Sequence, residues 1–375
     1  MINFNVNFNQ DTFYLVDNKK VYSKIKAIEL ANGDMSRIHF SWMEDTWKSI
    51  DWSEEPLESW QSLLKTRCQQ IRDKYDYLAL WYSSGYDSHT ILRSFVDNNI
   101  LLDELLIYDR RDFFPDPEVP VAISHAEHIK NTYYPNLKIN VVRVSYESLS
   151  NFYKKSGTDW IYHAGCSLKV GKTTRYFSTT IMPEFISTTE QPNRGDIMGV
   201  DKAKVLLRDN QWHAFCPDGS AVDFIGSKQE NFFFSSDLPQ LHIKQCHMAI
   251  NWFESLPNLS QDLVHDVQGR DRSINGPHTR YYEAWNTGMG RFPLTRSHDF
   301  SRTGNHKFFH KSNSETSPDN ISYYEHIKNN DKQVFKIYTS GLIQARRFDS
   351  GSLGSLADQT VISKQYYIKD KSQAY

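Results

Sequence analysis

Up to about residue 150, short apolar runs alternate with stretches of helical spacing. Asn3 to Phe8 alternates polar and apolar residues, and Thr12 to Val16 is rich in aromatic and β-branched residues, so both predict strands. Asp17-Asn18 reads as a turn, Val21 resumes the chain, and Arg37 to Trp42 alternates again. Trp60, Leu63, Leu64, Cys68 and Ile71 recur at helical spacing and predict a helix from Glu58 to about Lys74. Tyr77 to Tyr82 is a compact apolar run of the kind found in buried parallel strands. Ser83 to Ser88 breaks it, and Ile91, Leu92, Phe95 and Val96 predict a helix over His89 to Val96. Leu105 to Tyr108 predicts a second strand, Val119 to Tyr134 a helix and Ile139 to Val144 a third strand. Strands alternating with helices imply an α/β unit with an open parallel sheet flanked by helices.

Beyond residue 150 the periodicity weakens. Ile197 to Val200 reads as a strand end and Leu241 to Glu254 as a helix. Residues 311–333 are rich in Asn, Ser, Asp and Lys and read as a loop or flexible insertion. The division expected is a small β-rich N-terminal element over 1–55, an α/β domain over 56–255 and a C-terminal extension over 256–375. That extension is expected to be helical and irregular and to cover the site.

Composition narrows the class. Aromatic residues make up 14% of the 375, a load that a disordered chain lacks. Lys plus Arg is 43 against 45 Asp plus Glu, which excludes a broadly basic nucleic-acid coat but not a local basic groove. No run approaches 18 apolar residues, and the start is no signal peptide. The four cysteines form neither a CxxC clamp nor a dense disulfide frame, so a reduced cytoplasmic protein without a membrane partner is expected.

The chemistry centres on Ser83-Ser84-Gly85-Tyr86-Asp87-Ser88. A buried strand that ends in small polar residues and opens a helix presents unpaired backbone N–H groups to an anion. Ser83 and Ser88 add hydroxyl donors. Asp87 is out of place beside phosphate unless Mg²⁺ bridges the two. The plain alternative is a turn with Asp87 or Ser88 as helix N-cap.

The order of these residues resembles the SGGxDS signature of the PP-loop, or N-type ATP pyrophosphatases, with Ser84 standing for the usual second-position Gly. It is not a Walker A loop, whose Gly-Lys-Ser/Thr end is missing. "KYDYLALWYSSGYDSHTIL" followed by "LLDELLIYD" resembles the nucleotide-binding domain of asparagine synthetase-like members, and most closely uncharacterised members from tailed phages. The resemblance covers roughly residues 70–145 and is thinner over 195–255. It implies an adenine nucleotide alpha hydrolase-like, HUP-type fold and a cytoplasmic location, in the host if phage-encoded. It implies that ATP and Mg²⁺ are bound, that a substrate oxygen attacks the α-phosphate, and that a nitrogen or sulfur nucleophile then displaces AMP. By matched position, Ser83, Ser84, Gly85, Tyr86 and Ser88 would hold pyrophosphate oxygens, Asp87 would hold Mg²⁺, and Tyr108 and Asp109 would lie near the adenosine.

Other candidates are more local. Lys202, after Gly199-Val200-Asp201, is in reach of pyrophosphate if the strand ends there; a surface turn with a solvated Asp201–Lys202 pair is the alternative, and Lys204 competes for the same role. Lys172 and Arg175 are candidate anion contacts, although Gly171-Lys172-Thr173 lacks the Gly a Walker A loop needs at position 166, which is Cys166. Cys166 itself reads as a sulfur carrier or as an inert buried thiol. Ser236 and Asp237 read as caps of the helix that starts near Leu238, with Pro239 in its first turn. Lys244, Gln245 and His247 read as a solvated helix face, with an inward Lys244 serving the pocket as the alternative. The pairs His125/His128 and His306/His310 read as solvated, and Arg346-Arg347 is too little for a nucleic-acid surface.

Asparagine synthetases carry an N-terminal cysteine nucleophile; position 2 here is Ile2 and the first cysteine is Cys68. A chain that transfers nitrogen without that cysteine takes free ammonia, an amine, or ammonia from a partner, so an ammonia or sulfur donor protein is one candidate partner, beside ATP and an unidentified acceptor. A nucleic acid and a second copy of the chain stay open as partners. The leading expectation is an AMP-forming ligase or transferase that adenylates a carboxylate or nucleobase carbonyl. Base modification by thiolation or deazapurine-type chemistry, and a non-catalytic ATP- or AMP-binding module, are the rivals.

Overall fold

A computed structural model describes residues 12–109, 111, 118–143, 145–162, 193–199, 203–218, 228–269, 323–345, 356 and 359–372. Strands β1 (Thr12–Val16), β2 (Lys19–Val21) and β3 (Ile38–Trp42) form an antiparallel sheet in the order β2-β1-β3. Asp17 and Asn18 take positive φ values of 47° and 65°, so two residues suffice to pair Val16 with Lys19. Tyr14, Val16, Phe40 and Trp42 point inward, as alternation requires, and helix α1 (Lys24–Leu30) adds Ile25, Ala27 and Ile28 to the same core.

The next stretch runs α2 (Trp60–Lys74), β4 (Tyr77–Trp81), α3 (Tyr86–Asp97), β5 (Glu104–Asp109), α4 (Glu118–Thr132), β6 (Lys138–Arg143) and α5 (Tyr146–Ser156). Strands β7 (Arg194–Met198), β8 (Lys204–Arg208), β9 (Gln211–Phe215) and β10 (Lys228–Asn231) follow. β4 to β7 and β10 make one five-stranded sheet, parallel throughout, in the order β10-β7-β4-β5-β6. The protein is thus α/β, with its parallel sheet flanked by helices and separate antiparallel sheets beside it. Successive strands step outward from β4 through β5 to β6, whereas β7 and β10 lie on its other side. The strand order therefore reverses between β4 and β7, where the carboxyl ends of an open sheet leave a crevice.

One sheet face joins the main core: Leu78, Leu80, Leu105 and Ile107 meet the apolar stripe of α3. On the other face Ala79, Trp81, Leu106, Val142 and Met198 form a separate cluster. Helix α6 (Pro239–Glu254) buries Leu241, Cys246, Ile250 and Phe253, and α7 (Gln261–Gly269) packs on β8. Helices α8 (Tyr323–Asn330) and α9 (Lys332–Ala345) come next, then β11 (Tyr366–Asp370), which closes a third sheet in the order β11-β9-β8. A buried ion pair ties the first sheet to the chain after β9: Lys24 Nζ lies 2.8 Å from Asp218, which also accepts from the Tyr14 hydroxyl at 2.8 Å.

Several expectations need correction. Residues 323–330 are helical, not loop: Ile327 is buried and His326 stacks on Tyr146 at 3.8 Å, contacts that outweigh a polar composition. The C-terminal stretch is not only helical and irregular, since β11 enters a sheet. Asn3 to Phe8 lies outside the described residues. Among the described residues, no helix is long and apolar enough to cross a membrane.

Candidate functional site

β4 delivers the loop to the crevice. Its backbone stays laddered one residue past the strand, where Tyr82 N–H donates to Leu106 O at 2.8 Å. Ser84 then takes φ 56°, the left-handed region, which turns the chain towards α3. Gly85 is the N-cap of α3, with φ −65° and ψ 161° and no side-chain capping bond. Neither Asp87 nor Ser88 is the cap; both lie in the first turn, because the helix begins at Tyr86.

The loop is held by its own hydroxyls. Ser83 N–H reaches Ser88 Oγ at 3.3 Å, Gly85 N–H reaches Ser83 Oγ at 3.2 Å, and Ser88 Oγ–H donates to Gly85 O at 3.2 Å. Ser83 is exposed, Ser84 and Ser88 are buried, and Asp87 is half-buried. A Cβ on Gly85 would stand 3.0 Å from Ser83 Oγ, so glycine leaves that hydroxyl room. The N–H groups of the first turn have no intrahelical acceptor and carry the positive end of the helix dipole.

Neighbouring strands complete the edge. Tyr108, two residues beyond the Trp81–Leu106 pair, stacks on Trp81 with centroids 4.9 Å apart. Asp109 is gripped by Arg111, whose Nε and Nη2 each lie 2.8 Å from one carboxylate oxygen; this hydrogen bonding holds the carboxyl below its ordinary range. From the other side Gly199, just past β7, touches Ser88. Towards the opposite, amino end of these strands, buried Arg194 spans two carboxylates, Glu104 at 2.8 Å and Asp196 at 3.0 Å. Burial raises the Asp196 carboxyl, although Arg194 opposes it. Charges inside strands escape a reading that looks for apolar runs, so this cluster was missed.

The structure brings Ser83, Ser84, Gly85, Asp87, Ser88, Tyr108 and Asp109 to one edge of the sheet. Asp201, Lys202, Lys172, Arg175, Cys166 and the side chain of Tyr86 lie outside the described residues. Lys244 is engaged elsewhere, at 2.7 Å from Glu55 and 3.0 Å from Pro56 O. Its face of α6 is not solvated: Gln245 is buried, and so is His247, with Nε2 3.0 Å from Trp52 O. Ser236 and Asp237 do not cap α6, whose N-cap is Leu238 without a side-chain bond; Asp237 instead pairs with Arg67 at 3.4 Å. Pro239 does occupy the first turn. His128 is exposed, but His125 is buried because it falls on the inward stripe of α4 between Ala122 and Ile129.

The residues present suit a nucleotide polyphosphate with Mg²⁺. Mg²⁺ keeps several waters and binds through one or two carboxylates plus phosphate oxygens, so a single Asp87 beside first-turn N–H groups is an adequate protein contribution. No protein-family model matches this chain, and no curated protein is significantly similar to it.

Proposed function

We propose that this protein is an ATP- and Mg²⁺-dependent, AMP-forming enzyme of the PP-loop type with a HUP-like α/β core. The observation that carries the reading is the strand–SSGYDS–helix unit at the reversal of strand order, beside Gly199 and the ends of β5. In this reading the N–H groups of Tyr86 to Ser88 and the hydroxyl of Ser83 receive the β- and γ-phosphates, while the Gly85 N–H stays on Ser83 Oγ. Asp87 holds Mg²⁺, which supplies charge neutralisation for the departing pyrophosphate. Tyr108 and Asp109 flank the nucleoside end, and Lys202, which lies outside the described residues, is proposed from the sequence as the pyrophosphate contact.

A carboxylate or nucleobase carbonyl oxygen of the acceptor attacks the α-phosphorus, and the bond to the β-phosphate oxygen breaks. The adenylated acceptor then takes a nitrogen or sulfur nucleophile, and AMP leaves with the bonding electrons. Ser84 supports a working loop: it keeps a left-handed turn that glycine adopts readily, and it is buried rather than exposed. The test is Asp87→Ala, which should abolish pyrophosphate release with little change in unfolding; unchanged release would overturn the proposal.

A further inference from the structure

Under the loop lies a polar contact that an apolar core does not call for. Tyr82 is the last residue before the loop, and its side chain follows Leu78 and Leu80 onto the helix-covered face. Its hydroxyl meets two imidazoles: Nδ1 of His89 at 3.2 Å and Nδ1 of His125. The two imidazole rings lie 4.7 Å apart. Tyr82, His89 and His125 are only 2%, 3% and 5% exposed.

The positions of the three matter as much as their bonds. Tyr82 closes the strand side of the loop, and His89 closes the helix side, where its N–H donates to Gly85 O at 2.9 Å. His125 stands on α4, the helix that follows β5. One hydroxyl therefore ties together the two ends of Ser83–Ser88 and the next crossover of the sheet.

Proton accounting constrains the arrangement further. A phenol has one proton, so it donates to one Nδ1 and must accept from the other. One Nδ1 is therefore bare and the other carries a proton. Apolar side chains would fill this space without such demands, but apolar contacts can slide. Directional bonds fix a distance, and a phosphate loop needs its N–H groups fixed before the ligand arrives.

We propose that Tyr82, His89 and His125 form a positioning triad that sets the width of the SSGYDS loop for a polyphosphate. The proposal rests on the reading of that loop given above. The triad touches neither phosphate nor metal; it acts through Ser83 and Gly85.

The test is titration of the full chain with Mg²⁺–pyrophosphate, alongside thermal unfolding. Tyr82→Phe, which deletes only the hydroxyl, and His125→Leu should each weaken pyrophosphate binding about tenfold. His125→Asn, whose carboxamide reaches the place of Nδ1, should bind within about twofold of wild type. Wild-type affinity in both Tyr82→Phe and His125→Leu would overturn the proposal, as would a His125→Asn variant as weak as His125→Leu. If Tyr82→Phe does not fold, the His125 pair decides. If the wild-type protein binds no pyrophosphate, the loop reading itself fails and the triad falls with it.

Discussion

A Cβ on Gly199 would stand 2.8 Å from the backbone nitrogen of Ser88 and 2.9 Å from its Cα. The end of β7 and the start of α3 therefore meet backbone to backbone, and only glycine permits it. Gly199→Ala should force them apart, at a cost of about 1–3 kcal/mol as for other overpacked sites. It should also weaken Mg²⁺–pyrophosphate binding, because Ser88 lies in the loop. Denaturant unfolding and pyrophosphate titration of the same variant check both effects.

Ser84 holds φ 56° without being glycine. A left-handed non-glycine residue costs about 1 kcal/mol or more, partly offset by the greater unfolded-state freedom of glycine. Ser84→Gly should thus raise stability by about 0.5 kcal/mol, and Ser84→Val should lower it by about 2 kcal/mol, β-branching adding to the strain. Urea midpoints measured at constant m-value decide the order of the three proteins.

How much of this was legible varied with the kind of signal. β4 and β5 follow from compact apolar runs, because a parallel strand buried on both faces has nothing else to show, whereas β6, an edge strand with only Val142 buried, follows from the run Ile139 to Val144, and the helices between them from helical spacing. The loop was legible for the same reason: polar residues at the mouth of such a strand stand out. β7 begins Arg194-Gly195-Asp196, and Arg194 is paired in space with Glu104, ninety residues away, which no local pattern reveals. β8 and β9 had a usable signal. Asp209-Asn210 repeats the positive-φ turn of Asp17-Asn18, and Val205, Leu206 and Leu207 precede it. β11 pairs with β9 across some 150 residues of chain, and nothing in Tyr366 to Asp370 announces that partner.

Arg67 is 1% exposed on α2 and donates to Glu230 at 2.8 Å, to Asn231 O at 3.0 Å and to Phe232 O at 3.3 Å. It thereby fastens α2 to β10 and the chain after it. Burial alone would raise the Glu230 carboxyl, but Arg67, Lys74 and Tyr75 outweigh it and hold the group below its ordinary value. Arg67→Met should strand that carboxylate and cost about 3–5 kcal/mol. Arg67→Lys should recover only part of this, since an ammonium cannot serve a fork of acceptors. Equilibrium unfolding of the two variants would show the difference.

His242 is fully buried against Trp47, Trp52 and Phe234, and burial pushes its imidazole down from 6.5 to about 3. Between those values the unfolded chain takes up a proton that the folded chain refuses. Stability therefore falls as pH drops through this window, by at most about 1.4 kcal/mol per pH unit from this residue. Glu230 adds to the loss at the acid end, since its depressed carboxyl stabilises the fold only while ionised. His242→Phe should flatten the pH dependence of the unfolding free energy between pH 6 and 4 (about one group's share) while leaving the Glu230 limb in place.

The adenylating chemistry proposed for the SSGYDS loop is followed most directly with ATP labelled at the α-phosphate. The full chain is incubated with Mg²⁺ and with small-molecule or nucleic-acid fractions of a cell extract, offered separately. Labelled AMP should appear with one fraction, together with pyrophosphate, and Asp87→Ala should abolish both products. ATP that binds but yields no AMP with either fraction, or ATP that does not bind at all, would contradict the account.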